Sequence, residues 1–360
     1  MARPIDGEGE NATQEQVGPS GCASAEMREE DVLACSFGAW YERFRNVTFR
    51  SEVIELPEAF VQFLLADGMC LPAEQGDAAS SAGSWGSGPA DSSDSEGEGA
   101  VGGGGVAESH FPELEDQVRA AIARLNGAVL PKLNWSAPKD AQWLHSTLKC
   151  DSVREVFSLL KASDFVAHDL CHSFDHCGTD RKRPDRFTLV LRRWHDLRDS
   201  SEFRCFAHGG RIIAISQRNA SCFFEHLTKP GELRALQEAI QGLFESHIRD
   251  NFALDRYVFD VYVDAAPRRR VFLVDFSPWG PTTDPCLFDW SEPDTLDLTQ
   301  GAEEPEFRVV QGEAERRGKV ERYHQLPLEL AELSSGEGLA GLLEKADGVL
   351  RQKEGLAGLL

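Results

Sequence analysis

The chain has 360 residues, 41% of them hydrophobic and 9% aromatic, enough for one large core or two modest ones. Thirty-seven Lys and Arg stand against 60 Asp and Glu, a net charge of −23. A surface of that sign repels duplex DNA and anionic membranes and attracts a basic protein face, which argues against direct nucleic-acid or membrane binding.

Nine cysteines without a paired framework suggest reduced thiols and a cytoplasmic setting. No apolar stretch approaches the length of a membrane span, and the acidic N-terminus lacks the apolar core of a signal peptide. Residues 1–30, polar and Glu-rich, read as a disordered tail. From about residue 31, Leu33, Phe37, Trp40, Tyr41 and Phe44 fall at helical spacing. Val53–Leu56 reads as a strand and Pro57–Leu65 as a helix opened by proline. Residues 75–106 form an acidic, Gly/Ser-rich stretch with Asp91-Ser-Ser-Asp-Ser-Glu-Gly-Glu98 and Gly102–Gly105, read as a flexible solubilising linker.

Beyond it, Leu114, Val118, Ile122 and Leu125 line one stripe of a helix expected over Phe111–Gly127. Strands are expected at Ala128–Leu133, Phe187–Arg192, Glu202–Ala207 and Arg211–Ser216, the last two joined through His208-Gly209-Gly210. A helix from Pro230 to about Arg249 buries Leu233, Leu236, Ile240, Leu243 and Phe244. Two strands, Tyr257–Asp264 and Arg270–Ser277, flank a hairpin loop at Ala265–Arg269. A Leu-rich helix is expected at about Gly336–Leu350, and the string Glu-Gly-Leu-Ala-Gly-Leu-Leu occurs at 337–343 and again at 354–360. Hairpins interspersed with helices point to α+β layers.

The late hairpin holds the chemistry. Period-two alternation puts Val258, Asp260 and Tyr262 on one face, and Val271, Leu273, Asp275 and Ser277 on one face of its partner. Carboxylates inside apolar runs need a metal or a basic partner. Lys132 lies in one strand, and Arg192 and Arg193 end another just before Trp194. Arg204 shares a strand face with Glu202 and Phe206, and Arg218 closes the strand after it. Hard oxygen ligands suit Mg²⁺, and Lys and Arg suit phosphate oxygens, so a triphosphate site is one reading. Internal salt bridges, Asp260–Arg204 and Asp275–Lys132, are the other. There is no phosphate-binding Gly-rich loop with a following Lys-Ser/Thr, and Cys171-His-Ser-Phe-Asp-His-Cys177 lacks zinc-ligand spacing.

Several segments carry a family resemblance: Phe37-Gly-Ala-Trp-Tyr41, Pro131-Lys-Leu-Asn-Trp-Ser-Ala-Pro-Lys-Asp-Ala141, Ser163-Asp-Phe165, Leu189-Val-Leu-Arg-Arg-Trp194, Glu202-Phe-Arg-Cys-Phe206, Ile215-Ser-Gln-Arg218, Val258-Phe-Asp260 and Val274-Asp-Phe-Ser-Pro-Trp-Gly280. In order and spacing they resemble the cell division cycle protein 123 family, assembly chaperones of eukaryotic translation initiation factor 2. The resemblance implies a two-lobed ATP-grasp-like fold of antiparallel sheets, with lobes at 31–200 and 201–298 and a C-terminal extension over 299–360. It implies ATP and Mg²⁺ as ligands. Lys132 would contact the phosphates, and Asn134, Trp135, Ser136, Ala137 and Asp140 would form a loop over the nucleotide. Arg192, Arg193, Trp194 and His195 would line the adenine, with Glu202 near the ribose. Arg204 and Arg218 would face the phosphates, and Asp260, Asp275 and Ser277 would hold magnesium. The family has Asn where this chain has Ser277, a poorer magnesium ligand. The implied role is a monomeric, non-catalytic ATP-binding chaperone for the gamma subunit of that factor. The alternative is an ATP-grasp ligase joining a carboxylate to an amine through an acylphosphate.

Overall fold

The computed structural model describes residues 27–66, 111–293 and 304–317. Nearly all of the expected tail, the acidic linker and the Leu-rich helix with its duplicated heptapeptide lie outside these residues.

Helices α1 (Glu29–Ala34) and α2 (Phe37–Phe44) open the described chain, broken at Cys35 and Ser36 where one helix was expected. Strand β1 (Ser51–Glu55) leads to α3 (Glu58–Leu65), whose start Pro57 fixes. Helix α4 (Pro112–Arg124) buries Leu114, Val118 and Ile122, and Leu125 just past its end is buried too. Strand β2 (Val129–Lys132) tolerates Pro131 because it is an edge strand and needs no N–H there. Helices α5 (Val153–Lys161) and α6 (Asp164–Cys171) are capped by Ser152 and Ser163, whose hydroxyls accept from Glu155 N and Val166 N. With β3 (Thr188–Arg193), β1 and β2 form an antiparallel sheet in the order β1-β3-β2. Helices α3 to α6 cover one core, which holds Phe60, Val118, Phe157 and Leu189.

The second sheet has five strands, running in space from Val271–Pro278 through Arg256–Val263, Glu202–His208 and Arg211–Gln217 to Glu306–Arg308. Strands β4 (Glu202–His208) and β5 (Arg211–Gln217) turn through Gly209 and Gly210 at φ +60° and +69°, a two-residue turn that favours glycine at both positions. Helix α7 (Pro230–Leu243) runs into a wide π turn at Phe244–Ile248. Strands β6 (Arg256–Val263) and β7 (Val271–Pro278) form the late hairpin. Strand β8 (Glu306–Arg308), inside the stretch read as an extension, pairs parallel with β5 and completes the sheet. No helix among the described residues is long and apolar enough to cross a membrane.

Two features depart from the sequence reading. Helix α2 lies in the first segment, yet its Phe37, Trp40 and Phe44 pack with Phe259 and Phe276 of the second sheet. Strict alternation also fails in β7. Asp260 faces Asp275 but Val261 faces Leu273, leaving Val274 as a bulge. Val271 and Leu273 therefore turn to the core side with Val261 and Val263, while Asp275 and Ser277 share the opposite face with Asp260 and Val258.

Candidate functional site

On that opposite face the second sheet carries an ordered row. Ser216, Arg204, Asp260 and Asp275 stand side by side on β5, β4, β6 and β7. Arg204 donates from Nε to Asp260 Oδ1 at 2.8 Å and from Nη2 to Oδ2 at 2.7 Å, the two-pronged geometry that matches guanidinium to carboxylate. Its Nη1 donates to the Asp284 carbonyl at 2.5 Å. Arg218 adds a contact from Nε to Asp260 Oδ2 at 3.4 Å. Burial alone would raise the pKa of Asp260, but Arg204, then Arg218 and Lys139, hold it at about 2.

The first sheet supplies cations from across the junction. Lys132, at the end of β2, is buried and pairs with Asp275 Oδ2. Burial lowers the Lys132 pKa; Asp275 opposes that shift and Arg192 adds to it. Arg192, on β3, donates from Nη2 to the carbonyl of the bulged Val274 at 2.7 Å. Its guanidinium lies over the Phe37 ring at 5.2 Å and the Phe49 ring at 5.8 Å, and its buried Nε has no hydrogen-bond partner. Thr48 Oγ1 donates to the Leu273 carbonyl at 2.7 Å, so the same stretch of β7 is held from both sides.

The remaining candidates divide into scaffold and rim. Asn134 Oδ1 accepts from Thr188 N at 2.7 Å, tying the loop to β3. Trp135 donates its indole N–H to the Val32 carbonyl at 2.8 Å. Ser136 donates N–H and hydroxyl to Asp169 at 2.9 and 2.8 Å, and Ala137 is half-buried beside it. Asp140, expected over the nucleotide, has its buried carboxylate committed to the start of α6. It accepts from Ser163 Oγ and Asp164 N, both at 2.6 Å, and from Phe165 N at 3.2 Å. Arg193 and Trp194 are half-buried and held through their backbone N–H groups by Arg50 and Ala128. The His195 ring rests on Phe49, centroids 5.0 Å apart. Burial, then Arg193 and Arg192, lowers its pKa. Phe49 also stacks on Phe272 at 5.3 Å and meets Tyr262 at 6.4 Å, so this end of the row is aromatic. Glu202 faces Tyr262, and burial raises its pKa against Lys139 and Arg218.

Lys132, Arg192, Arg204, Arg218, Asp260, Asp275 and Ser277 thus converge, whereas Asn134, Trp135 and Asp140 build the wall. Three contributors escape the sequence reading. Asp169 sits on the buried stripe of α6 with Val166 and Leu170, and burial lifts its pKa to about 6 despite the bonds from Ser136 and Trp135. An acid at an apolar i, i+3, i+4 position is the signal that could have found it. Lys139 acts on both Asp260 and Glu202. Asp284 holds Arg204 and Arg218.

The donor set fits a magnesium nucleotide. Asp260, Asp275 and Ser277 offer hard oxygens on one face, and the surrounding cations suit phosphate. No group of three or more His, Cys, Asp and Glu residues able to hold a metal exists among the described residues, so phosphate oxygens and water would have to complete the coordination. The Cys171–Cys177 stretch forms no such group either; there His172 Nδ1 pairs with Asp175 at 2.8 Å.

The family model described as D123 matches residues 40–334. The chain belongs to the D123 family. The D123 match takes in both sheets and every site residue from Lys132 to Ser277. A Xenopus tropicalis protein named translation initiation factor eIF2 assembly protein is 36% identical over 337 residues, covering 88% of this chain and 96% of that one. An Aspergillus terreus protein named cell division cycle protein 123 is 38% identical over 273 residues, covering 72% of this chain and 62% of that one. The solved structure of Cdc123 from Schizosaccharomyces pombe is 33% identical with a TM-score of 0.64, covering 80% of this chain and 99% of that one. The α+β fold of two sheets expected from the sequence is the one this D123 chain adopts, and it is shared with that Cdc123 structure.

Proposed function

We propose that the chain is a cytoplasmic ATP-binding assembly factor that binds the gamma subunit of eukaryotic translation initiation factor 2 and promotes its joining to the other subunits. The assembly role draws support from the name carried by the Xenopus relative, matched across 96% of its length. The ATP reading is carried by one arrangement. Two facing carboxylates from a single hairpin meet Lys132, Arg192 and Arg204 from three other strands, and Arg218 from just past a fourth, at the junction of the sheets. In this reading Lys132, Arg204 and Arg218 take the phosphates, and Asp260 and Asp275 share Mg²⁺ with them, aided by the Ser277 hydroxyl. The aromatic end around Phe49, His195, Tyr262 and Phe272 takes the base. A nucleotide there touches both sheets, so it stiffens the junction and sets the surface offered to the partner. The test is capture of purified gamma subunit by the chain, with and without ATP·Mg²⁺. Capture strengthened by nucleotide in the wild type and lost in Lys132→Ala is expected. Capture that ignores both the nucleotide and the substitution overturns the ATP part, and no capture in any state overturns the partner.

A further inference from the structure

Resting on the nucleotide reading, we infer that the site takes the anion before the metal: the phosphate tail must draw off the basic side chains before Asp260 and Asp275 can accept Mg²⁺. Both Asp260 oxygens are occupied by Arg204, and Oδ2 by Arg218 as well. Asp275 gives Oδ2 to Lys132, while its Oδ1 accepts from Phe276 N at 3.2 Å. A divalent ion arriving alone meets oxygens already spent on cations. It would have to displace a guanidinium that stays charged at every accessible pH. Glu202 and Asp284 offer no detour, because the charges of Lys139 and Arg218 already act on Glu202, and Arg218 Nη1 lies 3.5 Å from Asp284 Oδ2.

An anion meets the reverse situation. Lys132 is buried with 2% of its side chain exposed, yet spends one of its three donors, on Asp275. Arg192 is buried too, at 6% exposed, and its Nε has no partner. Buried donors without acceptors raise the free energy of the unliganded site, and phosphate oxygens relieve that cost. As Lys132 and Arg204 swing to the phosphates, the two carboxylates on the shared face are released beside the new ligand. Metal then binds to carboxylate and phosphate oxygens together. The two ligands are coupled, and by reciprocity each strengthens the other.

The test uses the full chain and separates the components. Sodium tripolyphosphate, and ATP in excess EDTA, should each raise the melting temperature without any divalent ion. Mn²⁺ alone, followed by its free-ion paramagnetic resonance signal, should stay unbound. Adding tripolyphosphate to the same sample should strengthen Mn²⁺ binding about tenfold or more beyond what tripolyphosphate itself sequesters, an ordinary size for such a coupling. Arg204→Met should let Mn²⁺ bind without any anion; should that variant fold poorly, Lys132→Met makes the same test through Asp275. Mn²⁺ bound by the wild-type chain alone, or a thermal shift that needs metal, overturns the order while leaving nucleotide binding in place. If ATP with Mg²⁺ also gives no shift, the nucleotide reading fails and the order with it.

Discussion

Asp260 and Asp275 stand directly opposite each other on β6 and β7, yet each is held by a cation from a different part of the chain. Arg204, from the same sheet, holds Asp260, and Lys132, from the other sheet, holds Asp275. The hairpin therefore draws one cation from each sheet. Its geometry depends on the bulge at Val274, since without it Asp275 would turn toward the core.

Arg192 secures that bulge. Arg192→Met keeps the packing between Phe37 and Phe49 but leaves the Val274 carbonyl without its donor. A half-buried acceptor stripped of its partner costs about 1 kcal/mol, the low end of the range for buried groups. Urea unfolding should show a loss of that size, and ATP binding should weaken along with it.

Phe276 anchors the residue pair from behind. It lies between Asp275 and Ser277 but points to the opposite face, where its ring meets Trp40 and Phe44 at 5.3 Å and Phe252 at 3.8 Å. Phe276→Ala should cost about 3–5 kcal/mol, as expected for a large buried ring whose cavity cannot collapse. Calorimetric melting checks it; a loss below about 1 kcal/mol would mean the aromatic cluster is loosely packed.

Asp169 makes stability depend on pH. Its folded pKa of about 6 lies above the unfolded carboxylate value, so the folded state binds the extra proton between the two. Stability contributed by the neutral form is full below the unfolded value of about 3.9 and is lost as pH rises through about 6. Asp169→Asn keeps an acceptor for Ser136 N–H without the charge. Relative to that variant, the wild type should lose roughly 2–3 kcal/mol between pH 4 and pH 7, read from paired denaturant titrations. A flat difference would show that Asp169 titrates normally.

The acidic surface should act on rates. With a net charge of −23, association with a basic partner is steered at long range and screened by salt. The association rate with the gamma subunit should fall as salt rises from low to physiological, with little change in dissociation. An unchanged association rate removes the steering account.

Much of this was legible in the sequence because the signals are local. The alternation in Tyr257–Val263, the glycine pair after His208 and the stripe from Leu114 to Leu125 each predict the element found. The bulge was not legible, because Val274 continues the apolar alternation and only the pairing with β6 reveals the slip. The pairing of α2 with the second sheet was hidden for a similar reason: periodicity gives a helix its apolar face but not the surface that covers it. At the site, Lys132, Arg204, Asp260 and Asp275 stand out as charges inside apolar strands. Asp140 and Asn134 stand in the same rich motif but serve the fold, a difference visible only from their hydrogen bonds.

The most direct measurement is isothermal titration of ATP·Mg²⁺ into the wild-type chain and into Lys132→Ala. Saturable one-to-one binding that weakens about tenfold or more in the variant is the expected result, in keeping with the loss of a buried charge-assisted contact. No saturable binding to the wild type, or equal binding to both, would contradict it and leave the ion pairs as internal struts.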